Sequence, residues 1–369
     1  MMPVLLTCNV PCHDQHAQEL VTRGVHVVAE DAVNREQYPE LEHAVAYFQN
    51  NSIQSLLRTV HSTMERPPSQ DSLAIAIARS QRRFEFMFAR FLISSGMLPP
   101  SNISHVTLYL PEQADHGNNA VVLSMPEFNK RRRRFLQNAP ASVLFSIFDG
   151  IVLTPSWVGC AASYMMLARH AVGTGTRQLL VVEDDVIFPP NFSERLAEAK
   201  QFLATLPSWD MFSGLIVDVT PETSVLDVQL VDGTMFVVLD RMTSTVCNLY
   251  NRHALELLAQ WDMSDRNDQT NTIDRYLNRR NMTVVTTMPY MVDHERGAQS
   301  TLWKIEPDHY SKWIQRSQEM LMAKTMAFLA RRRMDEFHVA QATSRAQQKM
   351  GTEIVTIAAP TKSAYRWYG

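Results

Sequence analysis

At 369 residues the chain exceeds what one small core needs, so its size predicts two domains or one large, elaborated domain. Hydrophobic residues at 45% and charged residues at 20% exclude a chain that is disordered throughout. A net charge of -3 argues against nucleic acid as a bulk electrostatic partner, because that binding rests on an excess of Lys and Arg.

The run from Met1 to Val10 is apolar but has no basic flank and no small-residue cleavage site, so no secretion signal is expected there. Nowhere do about 18 apolar residues run together, which argues against a transmembrane segment. The four cysteines, Cys8, Cys12, Cys160 and Cys247, are too few and scattered for a disulfide scaffold. A reduced, cytoplasmic setting is the simplest expectation. A peripheral membrane contact stays open through the basic run Arg331 to Arg333, which a helix C-terminal charge cluster explains equally well. Cys8, Cys12, His13 and His16 lie close together, but their spacing matches no structural-zinc pattern.

In chain order, residues 3–7 and 25–29 are β-prone runs around a helical-looking stretch at 13–23. From about 40 to 97 the apolar spacing of three and four residues predicts helix, in both AVAYFQNNSIQSLL and FEFMFARFLI. A β-prone VTLYL at 106–110 leads into the polar loop 113–119, where the main boundary is placed. Beyond it the pattern alternates. AVVLSM (120–125) predicts a strand, 127–137 a basic helix, VLFSIF (143–148) a strand, and 157–172 a helix. QLLVV (178–182) then predicts a strand buried on both faces. Such alternation predicts an α/β domain with a mostly parallel central sheet. A long Met-rich helix is expected from Pro307 to near Gly351.

The buried strand QLLVV runs straight into Glu183-Asp184-Asp185. Ligands of open α/β sheets bind beyond the carboxyl ends of strands, which is where this triad falls. Alternate residues of an extended segment share a face, so Glu183 and Asp185 point one way and Asp184 the other. Three carboxylates this close repel one another unless a cation or hydrogen-bond donors neutralise them. Hard oxygen ligands suit Mg²⁺ or Mn²⁺, which commonly bind one or two carboxylates together with substrate phosphates. The competing explanation is an acidic cluster before a helix beginning near Asn191 or Ser193.

The runs VGCAASYMMLARHAV (158–172), QLLVVEDDVIFPPNF (178–192), SWDMFSG (208–214), TSTVCNLYNRHALELL (243–258) and TIDRYLNRRNMTVVTTMPYMVDHERGAQSTLW (272–303) keep a definite order. In that order and spacing the chain resembles glycosyltransferase family 25 over roughly residues 120–305. The family includes bacterial lipooligosaccharide galactosyltransferases and collagen galactosyltransferases. Two places depart from its pattern. Tyr164 stands where the family usually has His, and the opening strand ends in Ser124-Met125-Pro126.

The resemblance implies a GT-A-like, Rossmann-type domain over 116–306, between a mixed, largely helical region at 1–115 and a C-terminal helix and tail at 307–369. It implies an inverting, metal-dependent transfer of a hexose, galactose first, from a UDP-sugar to a saccharide or glycoconjugate acceptor. Glu183 and Asp185 would then hold Mn²⁺ or Mg²⁺ and the donor, with Asp184, Asp149 and Gly159 on the donor side. Asp274 is the expected general base, although a carboxylate early in a helix is also favoured by the helix dipole. His294 ends a β-prone run and could complete the metal site. Arg131 and Arg134, from the basic run 130–134, could reach the donor diphosphate, though such a run is usually a solvated helix face. Ser300 and Trp303 could border the acceptor groove. The rival readings are a non-catalytic nucleotide-sugar-binding or scaffold protein with a degenerate site, and a metal-dependent nucleotidyltransferase.

Overall fold

The computed structural model describes residues 4–6, 27–30, 45–48, 58, 70–110, 120–295 and 307–349. Three short strands, β1 (Val4–Leu6), β2 (Val27–Glu30) and β3 (Val45–Phe48), pair in parallel as a separate sheet in that order. The third corrects the helix expected over this stretch. Val45, Tyr47 and Phe48 ladder onto β2, and β-branched and aromatic side chains suit a pleated surface better than their helical spacing suggested. The helical run expected at 13–23 lies outside the described residues.

Helix α1 (Gln70–Ser94) forms where FEFMFARFLI predicts it. One face of it is tied to the rest of the molecule. Phe86 is buried against the rings of Tyr109 and Phe148, at centroid distances of 5.7 and 5.4 Å. Arg79 donates to the Tyr109 carbonyl (3.0 Å), Arg83 to Asp149 Oδ2 (3.1 Å) and Arg90 to the Gly150 carbonyl (2.7 Å). The core therefore runs across the boundary expected in the loop 113–119, which itself lies outside the described residues. Residues 106–110, expected as a strand, are irregular. Leu108, Tyr109 and Leu110 are buried without a ladder, and the Tyr109 hydroxyl bonds Asp149 instead (2.7 Å).

The main sheet begins with β4 (Ala120–Ser124), followed by α2 (Asn129–Asn138), β5 (Phe145–Asp149), α3 (Ser156–Gly173) and β6 (Gln178–Glu183). Then come β7 (Val186–Ile187), α4 (Phe192–Thr205), β8 (Met211–Ser213), β9 (Val225–Val231), β10 (Thr234–Leu239) and β11 (Cys247–Asn251). Three short helices follow, α5 (Arg252–Ala259), α6 (Asp268–Asn271) and α7 (Ile273–Asn278). The chain closes with β12 (Val284–Met288), β13 (Asp293–His294) and α8 (Pro307–Lys349).

Eight strands share the sheet in the order β5-β4-β6-β11-β8-β12-β10-β9. The sheet is mixed. β5, β4, β6, β8, β12 and β9 run one way, while β11 and β10 oppose them. In β6 the residues Leu179 to Val182 are all buried, so both faces of this central strand are covered. The β9–β10 hairpin turns at Asp232-Gly233, both at positive φ (49° and 83°), a pairing that matches the right-handed strand twist.

The chain passes from β4 to β5 on one side and returns through α3 to β6 on the other side of β4. The carboxyl ends of these strands thus open onto the crevice where the connection reverses direction, the usual ligand position in such sheets. Helix α8 buries Ile314, Ser317, Leu321 and Thr325 along one stripe, and Ser317 Oγ bonds the Tyr290 hydroxyl (2.7 Å). No described helix is long and apolar enough to cross a membrane.

Candidate functional site

Three strand ends converge on one cavity of about 870 Å³. Ser124 closes β4, Asp149 closes β5 and Glu183 closes β6, after which Asp184 and Asp185 form a turn. The register fixes this arrangement. Leu123 lies opposite Glu183 in the β4–β6 ladder, and the Glu183 amide donates to the Val246 carbonyl just before β11 (2.9 Å).

Each carboxylate of the triad has a different environment. Asp184 accepts from Ser124 Oγ (2.6 Å) and from Arg131. Arg131 Nη2 also reaches Asp185 Oδ2 (2.7 Å), so one guanidinium bridges two acids. His294 Nε2 approaches that same Asp185 oxygen at 3.2 Å. Its position follows from the small β13–β7 ladder, which sets His294 opposite Val186. The Thr245 side chain lies beside Glu183 and favours its charged form. Tyr164 holds this segment in place by donating from its buried hydroxyl to the Thr245 carbonyl (2.9 Å). Two carboxylate oxygens, Glu183 Oε1 and Asp185 Oδ1, are buried without a hydrogen-bond partner.

The electrostatics follow from burial and pairing. Loss of solvent, added to the Asp185 charge, pushes the Glu183 carboxyl up to about 7. Burial also raises Asp184, against the opposing pull of Arg131 and Ser124. Burial would raise Asp185 too, but the bond from His294 and the charge of Arg131 outweigh it and hold this carboxyl below its ordinary value. For His294, burial would lower the pKa, yet the bond and charge of Asp185 raise it.

A divalent cation can be tested against this donor set. Two unpartnered, buried, hard oxygens, one on Glu183 and one on Asp185, fit an ion that takes two carboxylates and completes its shell with phosphate oxygens. Among the described residues no group of three or more His, Cys, Asp or Glu side chains is gathered to hold an ion alone. His294, expected as a third ligand, lies in the same cavity with its Nε2 3.2 Å from Asp185 Oδ2.

Of the other expected site residues, Arg131, Asp274 and His294 line the same cavity as the triad. Asp274 sits in the first turn of α7, where Thr272 Oγ1 (2.7 Å) and the Arg275 amide (2.9 Å) both bond its Oδ1. Arg134 is one helical turn further along α2, pairs with Glu295 and does not reach the cavity wall. Asp149 and Gly159 are also absent from the wall, for separate reasons. Asp149 is fully buried among Arg83, Arg132 and the Tyr109 hydroxyl. Burial would raise its pKa, but the two arginines hold it at about 2. A Cβ at Gly159 would lie 2.3 Å from the Ile151 carbonyl oxygen, so the glycine lets α3 press against the chain after β5. Ser300 and Trp303 lie outside the described residues.

Sequence reasoning missed Ser124, Thr245, Tyr310 and Trp313, all of which bear on the cavity. Ser124 carried a signal, since it ends the opening strand and begins the departure Ser124-Met125-Pro126. The two aromatics carried none, because they sit in a long helix whose spacing marks only its buried stripe.

No protein-family model matches the chain, and no curated protein matches its sequence significantly.

Proposed function

We propose that the protein is a metal-dependent inverting glycosyltransferase with a GT-A-like catalytic domain, moving a hexose from a UDP-sugar to a saccharide or glycoconjugate acceptor. The observation that carries this reading is the pair of buried, unpartnered oxygens on Glu183 and Asp185, placed at the strand ends where the sheet connection reverses. The resemblance to glycosyltransferase family 25, centred on the same acidic run, supplies the substrate class.

Glu183 and Asp185 would hold Mn²⁺ or Mg²⁺, which when bound offsets negative charge on the departing diphosphate. The chain's own residues do the rest. Arg131 fixes Asp184 and Asp185 in one orientation. His294 braces Asp185 from the other side, and Thr245 braces Glu183. Asp274 takes the proton of the acceptor hydroxyl as that oxygen bonds to the anomeric carbon. The bond from that carbon to the diphosphate breaks, UDP leaves with the electron pair, and the sugar inverts.

Thermal shift by UDP with and without Mn²⁺, followed by UDP release from UDP-galactose, tests the reading. The expected result is stabilisation that requires both UDP and Mn²⁺ and is lost in Asp185→Asn. Stabilisation by UDP alone that survives this substitution would sink the metal site. Pyrophosphate release from a nucleoside triphosphate would replace the reading with nucleotidyl transfer.

A further inference from the structure

The first turns of α8 bring Tyr310, Trp313 and Arg316 into the wall of the carboxylate cavity. The rotation of the helix is set by its buried stripe. Ile314 and Ser317 face the core, and the Tyr290–Ser317 bond holds them there; Tyr310 continues that same face one turn earlier, with Trp313 beside it, where the helix meets the cavity. Tyr310 stacks on the His294 ring at 5.4 Å, with planes 15° apart. Trp313 meets Tyr310 edge to face at 5.5 Å, and His309 at 6.4 Å in the same manner. These contacts fix the indole while leaving it 40% exposed, and no aromatic ring lies stacked flat upon it among the described residues. A line of contacts therefore runs from Asp185 through His294 and Tyr310 to a held, solvent-facing indole.

We infer that Trp313, oriented by Tyr310, is the acceptor platform, on which a neutral pyranose ring of the acceptor lies flat. This rests on the transferase reading above. One face of a pyranose presents axial C–H groups, an apolar patch matched to a fixed aromatic surface, while its hydroxyls stay in the polar rim. The charge of the wall selects among sugars. Glu127, Asp218, Asp268 and Asp274 line the cavity besides the triad, against Arg131, Arg275, Arg316 and His294, so a sialylated or phosphorylated ring would meet net repulsion.

Saturation-transfer NMR on the full chain with methyl β-D-galactopyranoside, methyl β-D-glucopyranoside and N-acetylneuraminic acid tests this. The expected result is transfer to the axial protons of a neutral glycoside, lost in Trp313→Ala, retained in Trp313→Phe, and absent for the acid. Where Trp313→Ala does not fold, Trp313→Gln takes its place. No transfer to either neutral glycoside, or an equal signal in the Ala or Gln variant, would overturn the platform, as would stronger transfer to the acid. The UDP–Mn²⁺ thermal shift on the same preparations reads the donor half separately. A sugar signal dependent on Trp313 without that shift would remove the transferase reading and keep the saccharide subsite.

Discussion

Glu183 and Asp185 are two residues apart and both buried, yet their pKa values shift in opposite directions. The bond from His294 and the charge of Arg131 outweigh burial at Asp185, while the Asp185 charge adds to burial at Glu183. A metal requires both acids ionised. The stabilisation by UDP and Mn²⁺ is therefore expected to fade as pH falls through about 7, where Glu183 takes up its proton. A response flat from pH 8 to pH 5.5 would contradict this. The same shift affects the ligand-free fold with the opposite sign. The folded carboxyl binds its proton more tightly than the unfolded one, so stability is lost as pH rises from the ordinary carboxylate range to about 7. Glu183→Gln removes that cost. In urea at pH 8 the ligand-free variant should be more stable by about 1–3 kcal/mol, with the gain vanishing near pH 4.5. Asp149 gives the contrasting case, a fully buried acid held at about 2 by Arg83 and Arg132. Its stabilisation is complete above the ordinary carboxylate range and is lost as pH falls toward 2. Asp149→Ala, which strands two guanidinium groups, is expected to cost about 3–5 kcal/mol in urea at pH 7.

The helices show where sequence periodicity is informative. α1, α3 and α8 stand close to where apolar spacing places them, and β6 is legible as a continuous apolar run, because each carries its signal within its own residues. β3 and residues 106–110 are not legible, since their state depends on β2 and on Asp149, which are distant in sequence. The triad stands out because three acids after a buried strand are rare. The aromatics of α8 do not, because only the crossing of that helix over the cavity gives them a role. The contact of α1 with β5 makes a prediction about boundaries. A fragment beginning at residue 116 would expose Phe148 and leave Asp149 without Arg83. It should lose the cooperative urea transition that the full chain shows. At α3, Gly159→Ala would force the helix off the Ile151 carbonyl and is expected to cost about 1–3 kcal/mol, read as a lower urea midpoint.

Across the whole molecule the charge is nearly balanced at -3, yet the cavity wall collects acids from β6, α6 and α7 as well as the turn after β6. With UDP present, divalent ions should therefore raise the melting temperature more than sodium at matched ionic strength. At a hundredfold excess over Kd, bound ligand would contribute about 2.7 kcal/mol. Identical shifts for Mn²⁺ and sodium would show that the wall does not select. The strand order has one further effect, which concerns synthesis. β6 ends at Glu183, but its ladder partner β11 begins only at Cys247, and the brace His294 follows later still. While the ribosome is still making the second half of the sheet, the emerging carboxylates have neither their antiparallel neighbour nor their imidazole. The nascent chain thus carries an open strand edge beside β6 until late in translation, the stretch where a chaperone would be needed most.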